Sequence, residues 1–330
     1  KLLFEVNNAN GPCSLEIRGT DDGTITIDGE GRGTGTSLIR NEEGCTFTLG
    51  ANAAINNGAA TDGAGALNNH GIAHLYGDFT NNKAGTSGGA IYNQSTGDLT
   101  IYGGTYSGNA STGTESTNGG GAIYSVGKLK ITGATFSGNK AKYQGGAIYH
   151  SAGQLQVEGC TFDGNSTESK EGGAMYVTSV TSSDEVPSFI KLTNFLNNKV
   201  GIGMGFDGKQ EGGNCRGGAI TFNAVTLDVT DCNFTANAVH RQGGAIFQNG
   251  GGTITITSTT GEHSFNGNSA MGYINSSNKA AGNGGALYCD NGTIQVKGYL
   301  FENNTADGKG KNYAVTTDKG TVELENCTEK

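Results

Sequence analysis

Apolar residues recur at every second position through short runs along most of this chain. Leu129/Ile131, Leu155/Val157 and Leu227/Val229 are typical, each pair enclosing a polar residue (Lys130, Gln156, Asp228). This alternation marks short strands with one face buried, and no segment sustains the 3.6-residue period of an amphipathic helix. Gly, Asn, Ser and Thr bound the runs and read as turns.

The runs belong to a repeat. Gly-Gly-Ala-aliphatic strings begin at Gly88, Gly120, Gly145, Gly172, Gly217, Gly243 and Gly284. Phe-x-x-Asn strings alternate with them, beginning at Phe79, Phe136, Phe162, Phe195, Phe234, Phe265 and Phe301, with an aromatic variant at Tyr106. A period of about 26 residues is the signature of a solenoid. One unit, with two or three short strands, is too small to bury its apolar face alone. Stacked, the units form a single-stranded parallel β-helix, all-β, with coils about 4.8 Å apart. Chain length over period gives roughly twelve coils and an axis of roughly 55–60 Å.

Stacking turns each repeated residue type into a column. Leu, Ile, Val and Phe columns fill the interior. The motif asparagines (Asn139, Asn165, Asn237, Asn268 and Asn304 among them) form an internal amide ladder at a corner, because Asn tolerates left-handed geometry and stacked amides satisfy one another. The paired glycines allow a sharp turn or a close approach of the next coil. The residue after Ala is always aliphatic and is placed inside. Alternation then puts the following residue outside: Tyr92, Tyr124, Tyr149, Tyr176, Thr221, Phe247 and Tyr288, an external aromatic stripe. Thr221 favours the outward reading; an inward tyrosine column is the alternative.

Composition fits this picture. With 59 Gly, 2 Pro and no Trp in 330 residues the chain is turn-dense β structure, and 34% hydrophobic content suffices for a narrow core. A net charge of −9 without a Lys/Arg cluster argues against nucleic acid and anionic membranes as partners. No run reaches the length of a membrane-spanning helix. The chain reads as one domain, 1–330: irregular cap coils over 1–60, repeats over 63–315, and loop insertions near 110–118, 178–190, 199–214 and 271–282. It opens at Lys1 without a leader, as a mature product would, and closes inside a coil-like segment, TVELENCTEK, so that an anchor is expected elsewhere.

Seven cysteines leave the compartment open. Cys13 and Cys45 open similar strands one long coil apart, which in register sets their Cα atoms about 5 Å apart. They read either as a disulfide or as two buried thiols. Cys160, Cys232 and Cys327 share a column, but Thr193, His263 and Tyr299 intervene and keep them too far apart to bridge.

The alternation of GGA[I/L/M] with FxxN resembles the repeats of the polymorphic outer-membrane proteins of chlamydiae and of bacterial and archaeal adhesin-like proteins, over roughly residues 63–315. The resemblance implies a secreted or surface-displayed, right-handed β-helix passenger that binds a host-cell, matrix or glycan surface without catalysis. It differs in showing no C-terminal barrel.

Two rival functions remain to be weighed. A filament or sheath subunit would self-associate end to end through open coil edges. A polysaccharide lyase or hydrolase would need clustered carboxylates. The acidic groups Asp21/Asp22/Asp28/Glu30 and Asp163/Glu168/Glu171 read as solvated turns. His70 and His74 have helical ligand spacing in a β context, so no metal is assigned. The glycine-rich segment around Cys215 lacks the Lys-Ser/Thr of a phosphate loop. Sequons at Asn93, Asn165 and Asn233 are commonplace in a chain of this composition. No catalytic residue and no cofactor emerges. The aromatic stripe is the leading candidate for binding, against a purely stabilising role, and the inserted loops come second.

Overall fold

The computed structural model describes residues 2–9, 11–31, 33–183, 185–201, 215–274 and 279–330. Most of the expected insertion 199–214 and the middle of 271–282 lie outside the described residues. The chain is a right-handed parallel β-helix. Four strands, not two or three, make each coil. In one coil they are Ile123–Ser125, Lys128–Thr132, Thr135–Ser137 and Lys140–Ala141. Corresponding strands pair in parallel into three sheets of 11 strands and a fourth of 10. Among the described residues the solenoid therefore counts eleven coils, close to the roughly twelve expected, the inserted loops lengthening the average coil beyond the bare repeat.

The register is that of the motifs. Ile123 pairs with Ile148, Leu129 with Leu155 and Phe136 with Phe162 in successive coils. Residues 1–60 lack both motifs, yet Phe4, Cys13 and Ile25 pair with Ile39, Cys45 and Ala53 in the same sheets. Cys13 and Cys45 form a disulfide, with Cα atoms 4.8 Å apart. Cys160 and Cys232 are buried free thiols and Cys327 a half-buried one.

The core is one continuous cluster of aliphatic and aromatic columns. Phe79, Tyr106, Phe136, Phe162, Phe195, Phe234, Phe265 and Phe301 are all fully buried. Their rings stack at centroid spacings of 4.7–5.2 Å. That spacing is the coil spacing, so one ring per coil fills the column with no gap.

Three residues beyond each aromatic lies the amide ladder. From Asn82 through Asn109, Asn139, Asn165, Asn198, Asn237 and Asn268 to Asn304, each Nδ2 donates to the next Oδ1 at 2.9–3.1 Å. Nδ2 also donates to a carbonyl of the preceding coil, for example Asn165 to Phe136 at 3.0 Å. The ladder stands, but for a different backbone reason from the one expected. The left-handed residue is the one before the Asn: Asn81, Gly108, Gly138, Gly164, Asn197, Ala236, Gly267 and Asn303, all with φ between 55° and 65°. The ladder Asn follows that bend and carries the hydrogen bonds.

The glycine pair divides its labour. Gly145 has φ +61°, and a Cβ there would collide with the carbonyl of Ile148; Gly146 has ordinary φ, but a Cβ would strike the carbonyl of Gly173 in the next coil. The first glycine makes the turn and the second admits the neighbouring coil.

Candidate functional site: the tyrosine cleft

The aliphatic residue of each motif enters the core while the next residue does not. Ile148, Met175, Ile246 and Leu287 belong to the core cluster; Tyr149, Tyr176, Phe247 and Tyr288 do not. The stripe therefore faces outward, as the alternation requires. It is nonetheless largely covered. Tyr149, Tyr176, Thr221, Phe247 and Tyr288 are buried, and only Tyr92 and Tyr124 are half-exposed.

The residue just before the glycine pair runs alongside the stripe and pairs with its counterparts in a row Gly119, Gln144, Glu171, Arg216, Gln242 and Asn283. Arg216 is the member of this row that closes over a ring. Arg216 holds Glu171 at 3.1 Å and lies 4.7 Å from the centre of the Phe247 ring. Burial raises the Glu171 carboxyl against the opposing pull of Arg216. Thr221 hydrogen-bonds to the Arg216 carbonyl at 3.2 Å. In the first coils of the stripe the corresponding residues are Ser87 and Gly119, and Gly119 lies so close to the buried Tyr149 ring that a Cβ there would strike it.

Tyr92, Tyr124, Tyr149 and Tyr176 pack edge-to-face, with centroids 4.9, 4.9 and 5.0 Å apart and planes 84–87° to each other. Each such contact contributes about 0.5–1.5 kcal/mol beyond area burial. Burial pushes the Tyr149 hydroxyl up to about 12 and also raises that of Tyr92. The two ends of this ladder thus differ: the Tyr149–Tyr176 end is packing, and the Tyr92–Tyr124 end meets solvent.

At that open end Tyr92 and Tyr124 line a cleft of about 550 Å³ together with Arg40, Asp62, Asn68, Gln94 and Asn118. Gln94 donates to Asn68 at 2.9 Å, and Asn118 donates to Ser87 at 3.3 Å. Arg40 is paired with Glu42. One wall is the inserted loop near 110–118, whose Thr117 and Asn118 face the cleft. That wall is held from behind: the Tyr143 hydroxyl donates to the Thr114 carbonyl at 3.0 Å, and the Lys170 ammonium to the Ser116 carbonyl at 3.2 Å. Aromatic edges beside amides and one guanidinium can take an uncharged polar ligand, apolar faces against the rings and hydroxyls toward the amides.

Within the acidic patches Asp28 and Asp163 are engaged in local turn contacts. Asp28 accepts the Glu30 N–H at 2.7 Å and the Asn57 amide, and these bonds hold its carboxyl below the usual range. Asp163 accepts from Asn197 at 2.9 Å. Both are turn anchors. Ser258, His263 and Asp231 do meet, a trio the repeat pattern gave no reason to single out. Ser258 Oγ is 2.9 Å and Asp231 Oδ1 3.3 Å from the same His263 Nδ1. A hydrolytic triad needs them on opposite nitrogens, so this trio ties two turns together. Among the described residues no group of three or more His, Cys, Asp or Glu is placed to hold a metal.

The sequence also gave no warning of a second polar column, which runs through the first strand of the early coils and gives way to Val177 and Phe222 beyond His150. Asn41 donates to Asn69 at 2.7 Å, Asn69 to Asn93 at 2.8 Å and Asn93 to Ser125 at 3.1 Å, all buried. His150 continues this column and is fully buried, Nε2 at 3.1 Å from the Gly153 carbonyl. Burial brings its imidazole down to about 4.

Two segments of the chain, residues 78–94 and 133–151, match the Chlamydia polymorphic membrane protein (Chlamydia_PMP) repeat. Each runs from a Phe-x-x-Asn corner to the Gly-Gly-Ala-Ile-Tyr strand of the next coil, and the first contributes Tyr92 to the cleft. No curated protein and no solved structure matches the chain. The match covers two repeat units, and their geometry here is that of a parallel β-solenoid.

Proposed function

We propose that this chain is a surface-displayed β-helix adhesin, the passenger or stalk that binds a host-cell, matrix or glycan surface without catalysis. The observation that carries the reading is the pair Tyr92 and Tyr124, half-exposed in a polar cleft at one end of the aromatic column. A rigid wall of stacked coils behind the cleft and a buttressed loop beside it fix the contact groups in advance, which lowers the ordering cost of binding.

The test is retention of the purified chain on a panel of glycans, matrix proteins and whole cells at fixed salt. Tyr92→Ser with Tyr124→Ser should cut retention about thirtyfold, since each exposed ring contributes on the order of 1 kcal/mol. Retention unchanged in that variant, with the fold intact, would move the contact to the inserted loops. No retention on any surface would leave a spacer or an end-to-end filament, which sedimentation over a range of concentrations would separate.

A further inference from the structure

On the outer face of the second sheet, one residue beyond each strand, Arg18, Gly50, Tyr76 and Tyr102 follow one another in successive coils. Gly50, Tyr76 and Tyr102 each donate a backbone N–H to the coil before, to Ile17, Leu49 and Leu75 respectively. The rings of Tyr76 and Tyr102 lie 4.6 Å apart and within 7° of parallel. Unlike the covered stripe, they are 45% and 46% exposed.

Because one face of Tyr76 rests on Tyr102, its other face looks back over the Gly50 coil. Gly50 has no side chain to occupy that space, and a Cβ there would strike Arg18. The result is a pit of about 430 Å³ with Tyr76 as one wall, Gly50 and Thr48 as its floor, and Arg18, Glu16 and Asp21 opposite. Arg18 and Glu16 are 3.7 Å apart and largely solvent-exposed, offering donors and acceptors side by side.

We propose that this pit is a second binding site, for a neutral hexopyranose unit of a glycan. An aromatic face backed by a second ring suits the C–H face of a pyranose. A guanidinium beside a carboxylate suits the vicinal hydroxyls on its other side. Arg18 is outnumbered by Glu16 and Asp21, and the chain carries −9 overall, so an anionic sugar is repelled. The site lies on a different sheet from the tyrosine cleft and stands whether or not that cleft binds.

Saturation-transfer NMR with neutral trisaccharides of glucose, galactose and mannose, and with 3′-sialyllactose as the anionic probe, tests it. The expected result is saturable binding of at least one neutral trisaccharide, with saturation passing from tyrosine to the sugar ring protons. Tyr76→Ala should weaken it about tenfold, and Tyr92→Ser should leave it unchanged. Should Tyr76→Ala alter the urea midpoint, Arg18→Ala, at a side chain 73% exposed, decides instead by weakening binding severalfold. No saturable binding of a neutral sugar, binding confined to the anionic probe, or affinity unchanged in the deciding variant overturns the proposal.

Discussion

Asn139 donates its side-chain amide to Asn165 Oδ1 at 2.9 Å, and the same oxygen accepts the Asn139 backbone N–H at 3.0 Å. One side chain thereby closes two donors of the coil below, while its own Nδ2 serves Asn198 and the Phe136 carbonyl. Both residues are fully buried, so nothing but the neighbouring coil can meet these groups. Asn165→Ala would orphan the Asn139 donors and the Phe136 carbonyl together. The expected loss is about 3 kcal/mol, read from the urea midpoint. A loss below about 0.5 kcal/mol, the range of a surface change, would mean that the ladder is decoration.

His150 makes stability depend on pH. Its imidazole titrates near 4 when folded because burial disfavours the charged form, against 6.5 when unfolded. Between those values the unfolded chain holds the extra proton, so stability falls as pH drops from about 6.5 to about 4, by about 3 kcal/mol in all. Above that window this group adds no slope. Gln248 occupies the same column and donates to the Gly251 carbonyl at 2.7 Å, as His150 does to Gly153. His150→Gln should therefore keep the fold and remove this part of the acid loss. Equal slopes for both proteins in urea titrations between pH 4.5 and 7.5 would contradict the burial account.

Tyr106 stands in a column that is otherwise Phe, and its hydroxyl is buried without a hydrogen-bond partner. An orphaned hydroxyl costs about 1–3 kcal/mol. Tyr106→Phe keeps the ring stacked between Phe79 and Phe136 and should raise stability by about 1 kcal/mol. An unchanged or lowered thermal midpoint would show that the hydroxyl is satisfied.

Ala236 adopts φ 55° at a corner where Gly108, Gly138, Gly164 and Gly267 take the same conformation in other coils. A left-handed L-residue costs about 1–2 kcal/mol, and glycine about 0.5–1 kcal/mol in lost chain entropy. Ala236→Gly should then gain about 0.5–1 kcal/mol. Differential scanning calorimetry reads the sign; a decrease would place the strain elsewhere.

Much of this was legible along the chain. Phe136, Phe162 and Asn165 fall where period and alternation put them, because in a parallel coil stack each residue's neighbours are its own repeats. The closeness of Cys13 and Cys45 follows from the same register, while the choice between a bridge and two thiols was left to the structure. The stripe illustrates where that logic stops. Alternation turned Tyr149 and Tyr176 away from the core, yet whether an outward ring meets water depends on what reaches across it, as Arg216 does over Phe247. Tyr76 and Tyr102 escaped notice because they recur in only two coils, and a pair makes no pattern.

The sequence by itself determined the β-helix, its columns and its corners, since each rests on local alternation and on the repetition of small motifs at a steady period. Only the tertiary structure decided which tyrosines are open. Exposure is a property of what lies above a side chain, and in this solenoid Arg216 lies over the Phe247 ring while the Tyr92 and Tyr124 rings line an open cleft.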